Sequence, residues 1–119
     1  MKQVGYFQLL APALRTSNGD TKSTPFKRAG LYTEGRITLK VTAEQGTSPE
    51  LTVRVLMYDQ HLGDWIPVYE FTKVSGSPSY PYTETISVYN FGGELALEWE
   101  IGGSNTPGFS FGVTGVFKN

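Results

Sequence analysis

The chain has 119 residues and a mass of 13.1 kDa; 39% of it is apolar and 18% charged, and ten Lys and Arg against eleven Asp and Glu leave a net charge of −1. That length predicts a single domain able to bury about two-thirds of the surface an unfolded chain exposes, enough to fold without disulfides or a metal. The absence of cysteine excludes thiolate chemistry, Cys-ligated zinc and a disulfide framework, and no apolar run nears the roughly 20 residues that cross a bilayer or resembles a secretory leader, so a soluble, non-exported protein is expected.

Fourteen Gly, seven Pro and thirteen Thr, beside one His and two Met, favour strands and turns over helices, so an all-β domain is predicted. The near-zero charge hides an asymmetry. Residues 1–40 carry Lys2, Arg15, Lys22, Lys27, Arg28, Arg36 and Lys40 against Asp20 and Glu34, a net +5. Residues 41–119 carry Arg54, Lys73 and Lys118 against nine acids, a net −6. The two parts should attract each other, within one chain or between copies.

In chain order, residues 5–14 read as a candidate strand that Pro12 confines to an edge or ends early. Residues 15–30, with Asn18-Gly19-Asp20, Pro25 and four basic side chains, offer little to bury and read as a long loop or arm. Period-two alternation begins at 36–43, where Ile37, Leu39 and Val41 face one way, and returns at 51–58 with Leu51, Val53, Val55 and Met57. Between them, 44–50 contains Gly46 and Pro49 and is predicted to be an exposed loop. A tight hairpin through Asp59 to Asp64 leads to a strand over 65–74, which Pro67 places at an edge or on a bulge. After a breaker-rich loop at 75–81, residues 82–89 alternate again, and Asn90-Phe91-Gly92-Gly93 turns the chain. The cleanest alternation follows at 94–101, with Leu95, Leu97, Trp99 and Ile101 inward and Glu94, Glu98 and Glu100 outward. Residues 102–108 read as a turn into a last strand presenting Phe109, Phe111, Val113 and Phe117. Six such strands predict an antiparallel β-sandwich, jelly-roll-like, over 31–119, with residues 1–30 as a basic N-terminal arm.

The residues offer little catalytic chemistry. His61 is the lone histidine, it sits at a hairpin tip, and no Gly-x-Ser-x-Gly turn accompanies it. Asp59, His61 and Asp64 are close enough to suggest a divalent metal, but Asp and Gly are ordinary hairpin formers and the set lacks calcium's six or so oxygens. Glu94, Glu98 and Glu100 invite a glycosidase reading, yet alternation puts all three on one face of one strand, whereas glycosidase carboxylates flank a cleft. A solvated or partner-facing acidic stripe is the simpler reading, and no nucleotide fingerprint is present. No enzyme activity, catalytic residue, cofactor or metal is therefore expected.

Binding readings remain. Tyr58, Trp65, Tyr69, Tyr80, Tyr82 and Tyr89 suggest a sugar-stacking platform, against the plainer view that Trp65 and Trp99 are core and the tyrosines cover strands. Nucleic-acid binding would need the basic arm, and a pI near 5.8 argues against it.

The stretch 45–59, Gln-Gly-Thr-Ser-Pro-Glu-Leu-Thr-Val-Arg-Val-Leu-Met-Tyr-Asp, followed by Gly63-Asp64-Trp65, resembles small virion proteins of tailed bacteriophages. The close Trp99-Glu100-Ile101-Gly102-Gly103-Ser104-Asn105-Thr106-Pro107-Gly108-Phe109-Ser110-Phe111-Gly112-Val113 is similar to theirs as well. The resemblance spans about residues 31–117 and rests on turns and alternation. It implies a head decoration or minor capsid protein, a β-sandwich docked on the capsid exterior as a homotrimer, assembled in the host cytoplasm. Its partners would be further copies of itself and the major capsid protein, with neither nucleic acid nor membrane involved. In that setting the arm (Lys2, Arg15, Lys22, Lys27, Arg28) is expected to reach an acidic surface, either Glu94, Glu98 and Glu100 of a neighbouring copy or carboxylates of the major capsid protein. A tail-tube or tail-tip component and a carbohydrate-binding module using Trp65 and Tyr69 are the alternatives.

Overall fold

The architecture follows from two long strands. A computed structural model of the protein describes residues 3–89 and 91–119, so Lys2 and Asn90 lie outside the described residues. Its elements are β1 (Val4–Arg15), β2 (Gly19–Asp20), one 3-10 turn at Ala29–Leu31, β3 (Glu34–Asp59), β4 (Asp64–Glu70), β5 (Tyr82–Tyr89) and β6 (Leu95–Lys118). Strands β3 and β6, of 26 and 24 residues, pair antiparallel from Glu34↔Lys118 to Met57↔Leu95. Strands β1 and β2 line the far side of β6, and β4 and β5 the far side of β3.

The expected loops at 44–50 and 102–108 are thus the middles of β3 and β6. The breakers that mark them bend the ribbon instead of ending it. Gly46, Ser48, Gly103, Asn105 and Thr106 all adopt positive φ (92°, 49°, 123°, 58° and 55°), and the ladder slips at Gln45/Thr47 and Thr47/Glu50. Such bulges add bend and twist while pairing resumes on either side.

The bend folds one sheet into two layers. Ile37, Leu39, Val41, Phe109, Phe111, Val113 and Phe117 from one half share a core with Leu51, Val53, Val55, Leu95, Leu97 and Trp99 from the other. Trp99 meets Phe111 edge-on at 5.9 Å between ring centroids. The result is an all-β antiparallel sandwich, with the inward sets of the four cleanest predicted strands buried as alternation requires, except Met57 and Ile101, which are half-buried against the core. Leu56, in the outward phase, is buried too, although its register with β6 runs on unbroken as Leu56↔Ala96 and Met57 stays packed on the core. Strand β4 stops at Glu70, short of the expected 74, although Phe71 and Val74 stay buried and bond to Val53 and Leu51. Pro67 lies on that edge strand beside the bulge, as expected.

The N-terminal segment differs from a separate arm. Strand β1 runs through Pro12 by means of two register shifts and forms an edge of the sheet. Residues 16–30 then lie along β6 of the same chain. Ile101 donates to Asn18 Oδ1 (2.7 Å), the buried Thr21 exchanges bonds with Leu97 (2.9 Å each), and Phe26 bridges Leu95. Ala29 is fully buried, and Phe7, Phe26, Tyr32 and Phe91 surround Phe117 with centroids 5.0–6.1 Å from its ring. Residues 16–30 are largely loop, as expected, and two well-placed apolar residues with backbone pairing hold them against the sheet.

The bend predicts a contrast between two glycines. At Gly103 the φ of 123° is one that side-chain-bearing residues rarely adopt, and a Cβ would sit 3.0 Å from Pro49 Cα and from two carbonyl oxygens. Gly103→Ala should therefore lower unfolding free energy by about 1–3 kcal/mol. Gly93→Ala, where nothing lies within 4 Å of the added carbon, should stay within about 0.5 kcal/mol of wild type in the same urea titration.

Candidate functional site

The outward face of the β2-β6-β3-β4 half gathers the expected acidic stripe around a residue that the stripe's own strand does not contain. Register places Arg54 of β3 opposite Glu98 on β6 and Glu70 on β4. Its guanidinium donates to Glu70 Oε1 at 2.7 Å and Glu100 Oε1 at 2.8 Å, with Glu98 Oε1 at 3.6 Å. The bonds to Glu100 and Glu70 raise the Arg54 pKa above its ordinary value. Glu98 and Glu100 therefore come together, joined by Glu70. Glu94 stands apart before β6, where its carbonyl accepts from Tyr58 N–H (3.3 Å). The cue for Arg54 was available in its outward phase between Val53 and Val55, beside an acidic neighbour strand.

The basic residues divide in use. Arg15 donates to the carbonyls of Ala13 (3.1 Å), Ala11 (2.8 Å) and Phe111 (2.9 Å), and its guanidinium lies 5.3 Å and 5.0 Å from the Trp99 and Phe111 ring centroids. Partial burial lowers its pKa. It closes one end of the sandwich rather than reaching outward. Arg28 lies 5.5 Å from the centroid of Phe7. Lys22 and Lys27 are exposed, and among the described residues neither pairs with an acid.

The aromatic platform resolves into three separate groups. Tyr58 and Trp65, opposite each other in β3 and β4, meet edge-on at 5.2 Å, so Trp65 is half-buried while Trp99 is the core tryptophan, donating Nε1–H to Ser17 O (3.1 Å). The Tyr69 hydroxyl accepts from Tyr89 N–H (3.1 Å) and donates to Tyr89 O (2.9 Å). Tyr80 and Tyr82 donate to Glu44 (2.9 Å) and Glu84 (3.2 Å). Burial, followed by the Glu44 bond, pushes the Tyr80 pKa up to about 12; burial and the charge of Glu84 raise that of Tyr82.

At the hairpin, Asp59 Oδ1 accepts from His61 and Leu62 N–H (2.9 and 3.0 Å), and Asp64 Oδ1 from Trp65 N–H (2.8 Å). These carboxylates shape the turn.

The opposite outer face, on the β1-β6-β3-β5 half, was not singled out from sequence. A hollow of about 300 Å³ there is lined by Arg36, Ser87, Tyr89, Val116 and Lys118, with Lys118 paired to Glu34 at 3.2 Å. Tyr6, 78% exposed, stands opposite Val116 on β1. An exposed aromatic at an edge carries no sequence signal distinct from a core one.

No protein-family model matches the chain, and no curated protein does. Among solved structures, the crystal structure of PirA is similar over 99% of this chain and 93% of that one, at 13% identity and a TM-score of 0.42. The Yersinia pseudotuberculosis-derived mitogen YPM is similar over 100% and 83%, at 11% identity and a TM-score of 0.28. Likenesses this slight have no bearing on what the chain does.

Two outcomes follow from these contacts. Because the folded Tyr80 holds its proton more tightly than an unfolded tyrosine, its contribution is intact below pH 10 and disappears as pH rises through about 12. Alkaline ultraviolet titration should show a late tyrosine step that Tyr80→Phe removes, together with a shallower loss of stability above pH 10. Replacing Arg54 by Met should cost about 1–2 kcal/mol at low salt and less at 1 M salt, since it leaves three neighbouring carboxylates without their shared cation.

Proposed function

We propose that this chain is a non-enzymatic structural protein of a phage virion that binds the outside of the capsid and stabilises it by bridging subunits. One observation carries the reading. The segment holding Lys22, Lys27 and Arg28 is pinned to its own sheet by backbone bonds at Thr21 and Phe26, so its cations stand on a fixed ridge instead of a free tether. A fixed ridge meets an acidic lattice surface without the entropy loss of ordering a loose arm. The virion resemblance of 31–117 supports the same class. A protein that binds only the assembled, expanded shell stabilises it by linkage, in proportion to its concentration over its dissociation constant.

In this reading the capsid contact uses Lys22, Lys27 and Arg28 and not Arg15, whose donors are occupied. The ridge contact sets no requirement on how many copies assemble.

The test is cosedimentation with expanded heads of the parent phage. Wild type should bind stoichiometrically and raise the temperature at which heads release DNA. Lys22→Ala, Lys27→Ala and Arg28→Ala combined should weaken binding by about tenfold or more at physiological salt and flatten its salt dependence. Absence of wild-type binding, or a triple variant that binds as wild type does, would reject the capsid contact.

A further inference from the structure

The edges of this sandwich are not protected alike. Strand β1 carries Pro12 and two register shifts, β4 carries Pro67 and a bulge, and β2 is two residues long. Such devices prevent strand addition. Strand β5 has none of them. Its sequence Tyr-Thr-Glu-Thr-Ile-Ser-Val-Tyr holds no proline, lysine or arginine, and it pairs with β3 from Glu34↔Tyr89 to Val41↔Tyr82 without a shift.

The backbone direction along that edge can be read from one side chain. The Tyr69 hydroxyl bonds both the N–H and the C=O of Tyr89, so these groups point away from β3. Backbone groups alternate along an antiparallel strand, so those of Ser87, Thr85 and Thr83 point the same way. Among the described residues they meet no other partner. Three donors and three acceptors are thus presented in a row.

We propose that β5 is a self-association edge, pairing antiparallel with β5 of a second copy about a two-fold axis at Thr85. In that register Thr85 faces Thr85, and Thr83 faces Ser87 of the second copy, which satisfies all six open groups. The ladder stops where it must: the next pair outward is Tyr89, already capped by Tyr69, against Pro81, which has no N–H. Outward side chains along the seam are short and uncharged, with the Thr85 hydroxyl held by Thr38 of its own sheet at 2.8 Å, so none opposes a like charge across the axis. Electrostatics agree as well. Glu84, the lone charge in the strand, is occupied by Thr72 N–H (3.0 Å) and the Tyr82 hydroxyl (3.2 Å). Arg36 and Lys40 sit one strand back, opposite Ser87 and Thr83, so the basic side chains of two copies stand about three strand spacings apart, roughly 14 Å, beyond a physiological Debye length of roughly 8 Å. This inference does not depend on the virion reading.

The chain has no cysteine, so one introduced thiol reports the register directly. Thr85→Cys should cross-link copies on mild oxidation, since paired Cα atoms about 5.5 Å apart suit a disulfide, whereas Thr83→Cys faces Ser87 and should not. By light scattering, wild type should approach twice 13.1 kDa at high concentration. T85K and T85E should each shift to monomer, and their equimolar mixture should recover the dimer through opposite charges across the axis. A wild type monomeric at millimolar concentration, a trimer indifferent to T85K, or equal cross-linking of the two cysteine variants would overturn the proposal. Should T85K fail to fold, the near-isosteric cysteine pair decides alone.

Discussion

The pairing of β3 with β6 is the contact on which the rest of the molecule hangs. Each strand uses its second edge to hold the remaining elements, β1 and β2 on one side, β4 and β5 on the other. A straight ribbon of this length would expose an apolar face along its whole run. The local slips around Thr47 and the left-handed residues near Gly103 turn it back on itself, so the two halves of the same strands bury each other. Each large side chain sealed between them contributes about 2–3 kcal/mol by removal from water. That gain depends on a bend built from residues that contribute almost nothing to the core.

Charge is distributed by the same geometry. The excess of basic residues at the start of the chain and of acids later does not become a free arm seeking a distant partner. Arg15 and Arg54 are engaged by their own chain, the first over aromatic rings and backbone carbonyls, the second among three carboxylates on the outer face. With these two engaged, and Lys73 and Lys118 paired to Glu50 and Glu34, the other described cations are those of the 16–30 ridge together with Arg36 and Lys40. The acidic face keeps a net negative charge, because one guanidinium meets Glu70, Glu98 and Glu100.

Strands whose alternation was strict were legible from sequence, because one buried face forces period two: 36–43, 51–58, 94–101 and 109–117 all emerge with the expected inward residues. Turn chemistry was legible as well at Asp59 and Pro67. What stayed hidden was continuity. Gly46, Pro49 and Gly103 break strands in most settings, and nothing local distinguishes a break from a bend whose partner strand bends in step. The anchoring of 16–30 was hidden for a related reason: it uses backbone groups and Thr21, which leave no apolar signature. At the candidate surfaces, Lys22, Lys27 and the Glu98–Glu100 pair were visible, while Arg54, Tyr6 and the open edge of β5 required knowledge of which strands are neighbours.

One further consequence lies in the order of synthesis. Strands β1, β2 and β3 all take their main partner from β6, which leaves the ribosome after every one of them. Until then only the local β3–β4 hairpin and the β3–β5 pair can form, and the long apolar side of β3 stays uncovered. Such non-local pairing slows folding and prolongs exposure of sticky edges. A nascent chain paused before Leu95 is therefore the form most in need of a chaperone, and truncation there would yield aggregate instead of a smaller domain.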